Sequence, residues 1–109
     1  MGNKQEMAAM KELSPTLLDE IKHALAITWS DEDKEIARIA GRSVYAIHDL
    51  VGAELDLDVN LSAREMVIER SRYDYNNALD EFELNFKHQL SRLILHVAID
   101  ERKKTENGD

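Results

Sequence analysis

Residues 72–82, Arg-Tyr-Asp-Tyr-Asn-Asn-Ala-Leu-Asp-Glu-Phe, decide how this chain is expected to fold. The pair Asn76-Asn77 interrupts two patterns of apolar residues spaced three and four positions apart, which is the spacing of amphipathic helices. Asp80 and Glu81 follow at once, and carboxylates in a first turn suit the positive end of a helix dipole. The stretch therefore predicts a helix–turn–helix joint inside an all-α domain.

The rest of the chain extends this pattern to a small bundle of about four helices. Each predicted start carries a residue that can cap a helix, and Gly52 stands where a helix would stop. The predicted helices begin at Ser14-Pro15, Ser30, the Ser62-Ala63-Arg64-Glu65 capping box and Asp80, and they end near Ile27, Gly52, Asn76 and position 101. Residues 1–13 are predicted to form a flexible N-terminal arm, residues 14–101 the helical domain, and residues 102–109 a flexible C-terminal tail.

The segment between the second and third helices has a different pattern. Residues Glu54 to Leu61 alternate polar and apolar, which is the period of a half-buried strand. A lone strand cannot satisfy its backbone hydrogen bonds inside a helical chain. The sequence therefore favours an extended loop whose leucines cover the bundle. The alternative is an arm that adds to the edge of a neighbouring subunit.

Composition limits the classes of partner. The chain has 109 residues with a formal net charge of −8 and no cysteine, which excludes disulfides and thiolate metal sites. Its acidity argues against sequence-independent binding of nucleic acid, because phosphate binding needs clustered Lys and Arg. No apolar run approaches the roughly 20 residues that cross a bilayer, so no membrane contact is expected.

No motif predicts catalysis, a metal or a cofactor. Asp56-x-Asp58-x-Asn60 imitates the start of a calcium loop, but Leu61 and Val67 occupy the positions of the required Gly and Glu. Among the four histidines there is no pair at i,i+4, and Gly-rich phosphate loops and nucleophile motifs are missing. We therefore expect a protein that is not an enzyme.

Several of these features occur together in a known family. They are the Leu-Asp-Glu-Ile-Lys run at 18–22, the acidic turn at 30–33, the helix ending at Gly52, the joint at 72–82 and the final Phe86, Leu90 and Leu93. In their order and spacing the chain resembles bacteriophage head–tail connector (head-completion or adaptor) proteins. The Tyr75-Asn76-Asn77 turn departs from the family, in which a small residue followed by Arg or Ser and Asn is more usual.

The resemblance implies a structural protein of the virion, assembled in the bacterial host cytoplasm and located at the head–tail interface. Family members form a ring, here expected to have about twelve copies of the chain. The ring lies beneath the portal protein, extends the DNA channel and docks stopper or tail completion proteins. DNA passes through without specific binding, and the family has no catalytic residues to carry over.

A hypothetical interface set follows from the residues and the resemblance together. The possible arm contributes three apolar residues, Tyr73 and Tyr75 cannot both face the same groove, and the resemblance implies a portal contact at Ile99 to Lys104. The set is Leu55, Leu57, Val59, Arg72, Tyr75, Ile99, Arg102 and Lys103. The competing interpretation is a small acidic helical protein-binding module, regulatory or antitoxin-like, acting as a monomer or dimer. Ring formation, and exposure of the three arm residues in the isolated chain, would discriminate the two.

Overall fold

The computed structural model describes residues 15–108, and these form a small all-α bundle as predicted. Its helices are α1 (Pro15–Ala24), α2 (Asp33–Val51), α3 (Leu61–Tyr75), α4 (Leu79–Asn85) and α5 (Lys87–Gly108). Neither the predicted cap Ser14 nor the predicted arm at 1–13 falls within the described residues. Between 15 and 108 no strand forms, so the segment after α2 is a loop in this chain. None of the helices in this range combines the length and apolar character needed to cross a membrane.

Helix α3 lies at the centre of the arrangement and packs against each of the other four helices. Its most extensive packing is with α2, and two polar contacts join the same pair of helices. Arg42 forms an ion pair with Asp74 at 3.1 Å, and Arg70 Nη1 donates to the buried Ser43 Oγ at 3.1 Å. Burial lowers the pKa of the Arg70 guanidinium. Within the described residues the backbones of α1 and α5 do not approach each other closely, although side chains of both belong to the same core.

The core follows the predicted helical spacing, and the largest fully buried side chains come from α1, α2, α3 and α5. They include Leu17, Ile21, Ile36, Ile47, Val67 and Val97. Leu79 and Ile94 continue the helical spacing of Phe82, Leu90 and Leu93, but both are exposed. They lie at the edge of the apolar stripe, where the turn of the helix has already carried the side chain out of the core.

Three successive helices end in the same way, each with one residue in the left-handed backbone conformation. These residues are Ala26 (φ 59°), Gly52 (φ 76°) and Asn77 (φ 59°). After α1 and again after α3, two backbone hydrogen bonds close a Schellman motif. The longer-range bond runs from Ile27 N to Lys22 O at 2.9 Å after α1, and from Ala78 N to Tyr73 O at 2.8 Å after α3. Gly52 was predicted as a stop and Asn76-Asn77 as a turn, and both predictions are confirmed.

Two of the predicted helix starts differ from the observed ones. The side chain that caps α3 is Asn60, whose Oδ1 accepts from Ala63 N at 3.0 Å, so Ser62 lies inside the first turn and the predicted capping box is wrong. Helix α2 begins at Asp33, and the predicted start, Ser30, instead forms a turn before it with Asp33 N donating to Ser30 O at 3.1 Å.

The last predicted helix is divided in two at Phe86. No Gly or Pro stands there to break it. The break coincides with an aromatic cluster in which the Tyr73 ring lies 6.0 Å from Phe82 and 5.7 Å from Phe86 in edge-on contacts. Helix α5 then continues past the predicted end at 101 to Gly108. The mobility expected for residues 102–109 stays a prediction, with residues 102–108 helical here.

Candidate interaction surfaces

The loop between α2 and α3 separates the three predicted arm residues into two classes. Leu55 and Leu57 are half-buried and pack against the core, whereas Val59 is 76 % exposed. The two leucines therefore cover the bundle of their own chain, as the loop interpretation predicted. Val59 alone remains available as an apolar contact for another molecule.

This loop is held in place by hydrogen bonds rather than by a strand ladder. Leu55 N donates to His48 Nε2 at 3.2 Å, which connects the loop to the end of α2. Asp56 then organises a turn, accepting from Asp58 N at its side chain (2.9 Å) and from Asn60 N at its carbonyl (2.8 Å). A loop with so many local bonds is a structured surface rather than a free arm.

Arg64 connects the loop to α1 and α3 through hydrogen bonds, and the sequence pattern did not predict that its side chain is buried. Its side chain is only 10 % exposed and donates to Glu20 through two bonds of 3.0 and 2.9 Å. It also reaches Asp58 Oδ1 at 3.1 Å and the Leu57 carbonyl at 3.3 Å. The guanidinium lowers the pKa of Glu20, chiefly through these hydrogen bonds. Helix α1, the loop and α3 are thus joined at one cation.

The predicted residues at the end of α5 lie close to this loop. Lys103 lines a shallow depression of about 370 Å³ together with Leu55 and Val59, so the structure brings part of the loop set and part of the tail set together. Ile99, Arg102 and Lys103 are all exposed. This end of the molecule therefore presents apolar and cationic side chains beside the acidic loop.

Arg72 and Tyr75 lie at the other end of α3 and are separate from that group. Arg72 is paired with Glu69 at 2.7 Å, and its guanidinium lies 5.1 Å from the centre of the Tyr73 ring. The bond to Glu69 raises the pKa of Arg72. This ion pair stiffens α3, and both of these side-chain contacts of Arg72 lie within that helix.

Tyr75 belongs to a small aromatic anchor that the sequence did not reveal. The Tyr75 hydroxyl donates to Glu32 Oε1 at 2.8 Å, and the Trp29 indole N–H donates to Glu32 Oε2 at 2.8 Å. The bond to Glu32 raises the pKa of Tyr75. Trp29 remains 47 % exposed although its orientation is fixed by this bond. We call Trp29, Glu32 and Tyr75 the aromatic anchor.

A groove runs between α3 and α5 and encloses about 820 Å³. Its apolar lining comes from Leu61, Met66 and Leu93. Its polar lining comes from Ser62, Glu65, His88, Gln89, Arg92 and His96. We call this the α3/α5 groove. The sequence could have suggested it only through the spacing of His88, Arg92 and His96, which places them on one side of a helix.

Within residues 15–108 no three His, Asp or Glu side chains are arranged to hold a metal ion. The titratable groups with shifted pKa values are accounted for by ion pairs, hydrogen bonds and burial described above.

Comparison of the chain with protein-family models, with curated proteins and with solved structures found no match.

Proposed function

We propose that this chain is a structural virion protein of the head–tail connector kind, which forms a ring under the portal, extends the DNA channel and docks stopper or tail proteins. The observation that carries the proposal is the joint at residues 72–82, whose resemblance to that family is the most specific in the sequence. In the structure this stretch contains the end of α3, the turn at Asn76-Asn77 and the start of α4. The resemblance thus falls on a folded joint rather than on an unstructured segment.

The apolar surface supports a role in assembly. Val59, Leu61, Leu84 and Leu95 are each more than half exposed. Single exposed apolar residues are ordinary. Four large apolar side chains, spread over the loop, α3, α4 and α5, favour a chain that buries them against other subunits. A ring would cover part of this surface.

The charge of the chain supports a channel that DNA passes without binding. A net charge of −8 on each copy repels the phosphate backbone, and the repulsion sums over a ring of about twelve copies. We therefore expect no stable complex with duplex DNA near physiological salt. A gel-shift titration in which the protein retards DNA at micromolar concentration would count against this part of the proposal.

The end of α5 is the proposed contact with the portal. Ile99 and Lys103 are exposed there, next to the depression that the loop forms with α5. An exposed apolar residue with a nearby cation can dock on an apolar and acidic surface of another protein. Stopper or tail proteins would then bind the opposite surface of the ring, at the head–tail interface of the virion.

A pull-down with a portal protein tests this function. The wild-type chain should be retained by portal rings, and a double variant, Ile99→Asp with Lys103→Glu, should not be retained. The control is Lys34→Glu, which changes an exposed cation on α2 and should bind like the wild type. Retention of none of the three by a panel of portals would contradict the connector role.

The α3/α5 groove favours a second candidate, the small acidic protein-binding module. A groove of about 820 Å³ with an apolar floor is large enough for the side chains of a partner helix. A regulatory or antitoxin-like protein would use the groove as a monomer or dimer and would form no ring. The state of assembly therefore separates the two candidates.

A further inference from the structure

The α3/α5 groove combines an apolar floor with one cation, Arg92, two histidines and one carboxylate, Glu65. Leu61, Met66 and Leu93 provide the apolar part, while Arg92 stands on the edge with a histidine four positions away on each side. Glu65 is the one carboxylate that the described residues contribute to the lining. Such a site suits an apolar side chain with one carboxylate beside it that can face Arg92.

The aromatic anchor has these complementary properties. Trp29 is exposed, and Asp31, two residues further along the chain, is an exposed carboxylate. Glu35 is also exposed but is already paired with Arg38 at 2.8 Å. The bond from the indole N–H to Glu32 fixes the ring before any partner arrives, so less side-chain entropy is lost on binding. Tryptophan is also among the residues most enriched at the energetic centres of interfaces.

The groove and the anchor are separate patches of one molecule. Among the described residues only those of α3 and α5 line the groove, whereas Trp29 lies on the turn between α1 and α2. Within the described residues the backbone of α1 does not closely approach that of α5. Two different complementary patches on one chain produce head-to-tail contacts, which close into a ring or continue as a filament.

We propose that Trp29 of one copy inserts into the α3/α5 groove of the next copy, with Asp31 facing Arg92 across the contact. This inference rests on the proposed self-assembly and identifies the surfaces that join neighbouring subunits. Direction is built into the contact, because each copy offers one anchor and one groove.

Cysteine cross-linking tests the contact directly, since the chain has no cysteine of its own. A double variant, Thr28→Cys with Gln89→Cys, places one thiol beside the anchor and one in the groove, and both positions are exposed. Under mild oxidation it should form a ladder of dimers, trimers and larger disulfide-linked species. The matched control, Asp49→Cys with Gln89→Cys, moves the first thiol to another exposed position on α2 and should form no ladder.

Two further measurements make the test specific. Adding Trp29→Ala to the double variant should weaken the association by roughly 30-fold or more, as loss of an interface centre does. Mixing chains that carry only Thr28→Cys with chains that carry only Gln89→Cys should give cross-linked dimers and nothing larger. A ladder that survives Trp29→Ala, or no ladder above the control, would overturn the inference.

The outcomes also separate this inference from the proposed function. Closed rings that persist in the Trp29→Ala chain would overturn the contact and leave the connector role standing. A Trp29-dependent ladder in a chain that no portal retains would support the contact and count against the connector role. If the groove instead binds an acidic peptide of another protein, the double variant will stay monomeric. That result would overturn the proposed contact between copies.

Discussion

Replacing Arg64 with Ala should destabilise this bundle more than any other single loss of charge. The side chain is 10 % exposed and donates to the Glu20 and Asp58 carboxylates and to the Leu57 carbonyl. Removing one partner of a buried pair costs about 3–5 kcal/mol. The Glu20 and Asp58 side chains are 49 % and 70 % exposed and can regain water, so the expected loss is smaller, about 2–3 kcal/mol.

The assay is urea or thermal unfolding followed by circular dichroism. For a domain of this size each kcal/mol shifts Tm by about 4–8 °C, so Arg64→Ala should lower Tm by about 10–20 °C. The control is Arg38→Ala, whose ion pair with Glu35 is half exposed on both sides and should cost less than about 0.5 kcal/mol. Arg64→Lys should fall between them, because a single ammonium cannot reproduce the forked bonds.

The same contact predicts a pH dependence with a definite sign. Arg64 holds the pKa of Glu20 below its ordinary value. The stabilisation is therefore complete above the unfolded pKa of about 4.3 and is lost as the pH falls through the depressed folded pKa. Wild-type stability should fall more steeply below about pH 4.3 than that of Arg64→Ala. Equal losses for Arg64→Ala and Arg38→Ala would refute the reasoning, as would parallel pH profiles.

The helix ends and the aromatic anchor give further predictions. Ala26→Gly should raise the free energy of unfolding by about 0.5–1 kcal/mol, because Ala26 has φ 59° and Gly adopts that conformation without strain. Gly52→Ala should lower the free energy of unfolding by about 1 kcal/mol, because Gly52 has φ 76°, although its Cβ would meet open space. Urea melts that shift both variants in one direction would contradict this. Asn60→Ala should cost about 1 kcal/mol and Ser62→Ala much less, since only Asn60 caps α3; equal costs would restore the predicted capping box. Because Glu32 raises the pKa of Tyr75, Glu32→Ala should move the ultraviolet titration of the tyrosines to lower pH; an unmoved titration curve would contradict the hydrogen bond.

The sequence was most informative where one residue decides the local backbone. Gly52 and the Asn76-Asn77 pair marked helix ends because few residues adopt the left-handed conformation easily. Ala26 adopts the same conformation without any such signal. Its helix end could not be read from the residue, because the Schellman bonds to His23 and Lys22 depend on how the chain leaves α1.

The candidate surfaces were harder to predict because they depend on tertiary packing. Val59 and Leu57 look alike in an alternating segment, yet one is exposed and the other is covered by the bundle. Arg64 looked like part of a capping box, but α1 and the loop close around it. Trp29 and Tyr75 are distant in sequence and meet only through Glu32.

Native mass spectrometry of the purified chain over a concentration series, with and without portal rings, tests the central claim most directly. The connector proposal predicts closed rings of about twelve copies, formed either by the chain alone at high concentration or on the portal as a template. Monomers or dimers at every concentration, with no assembly on portal rings, would contradict it.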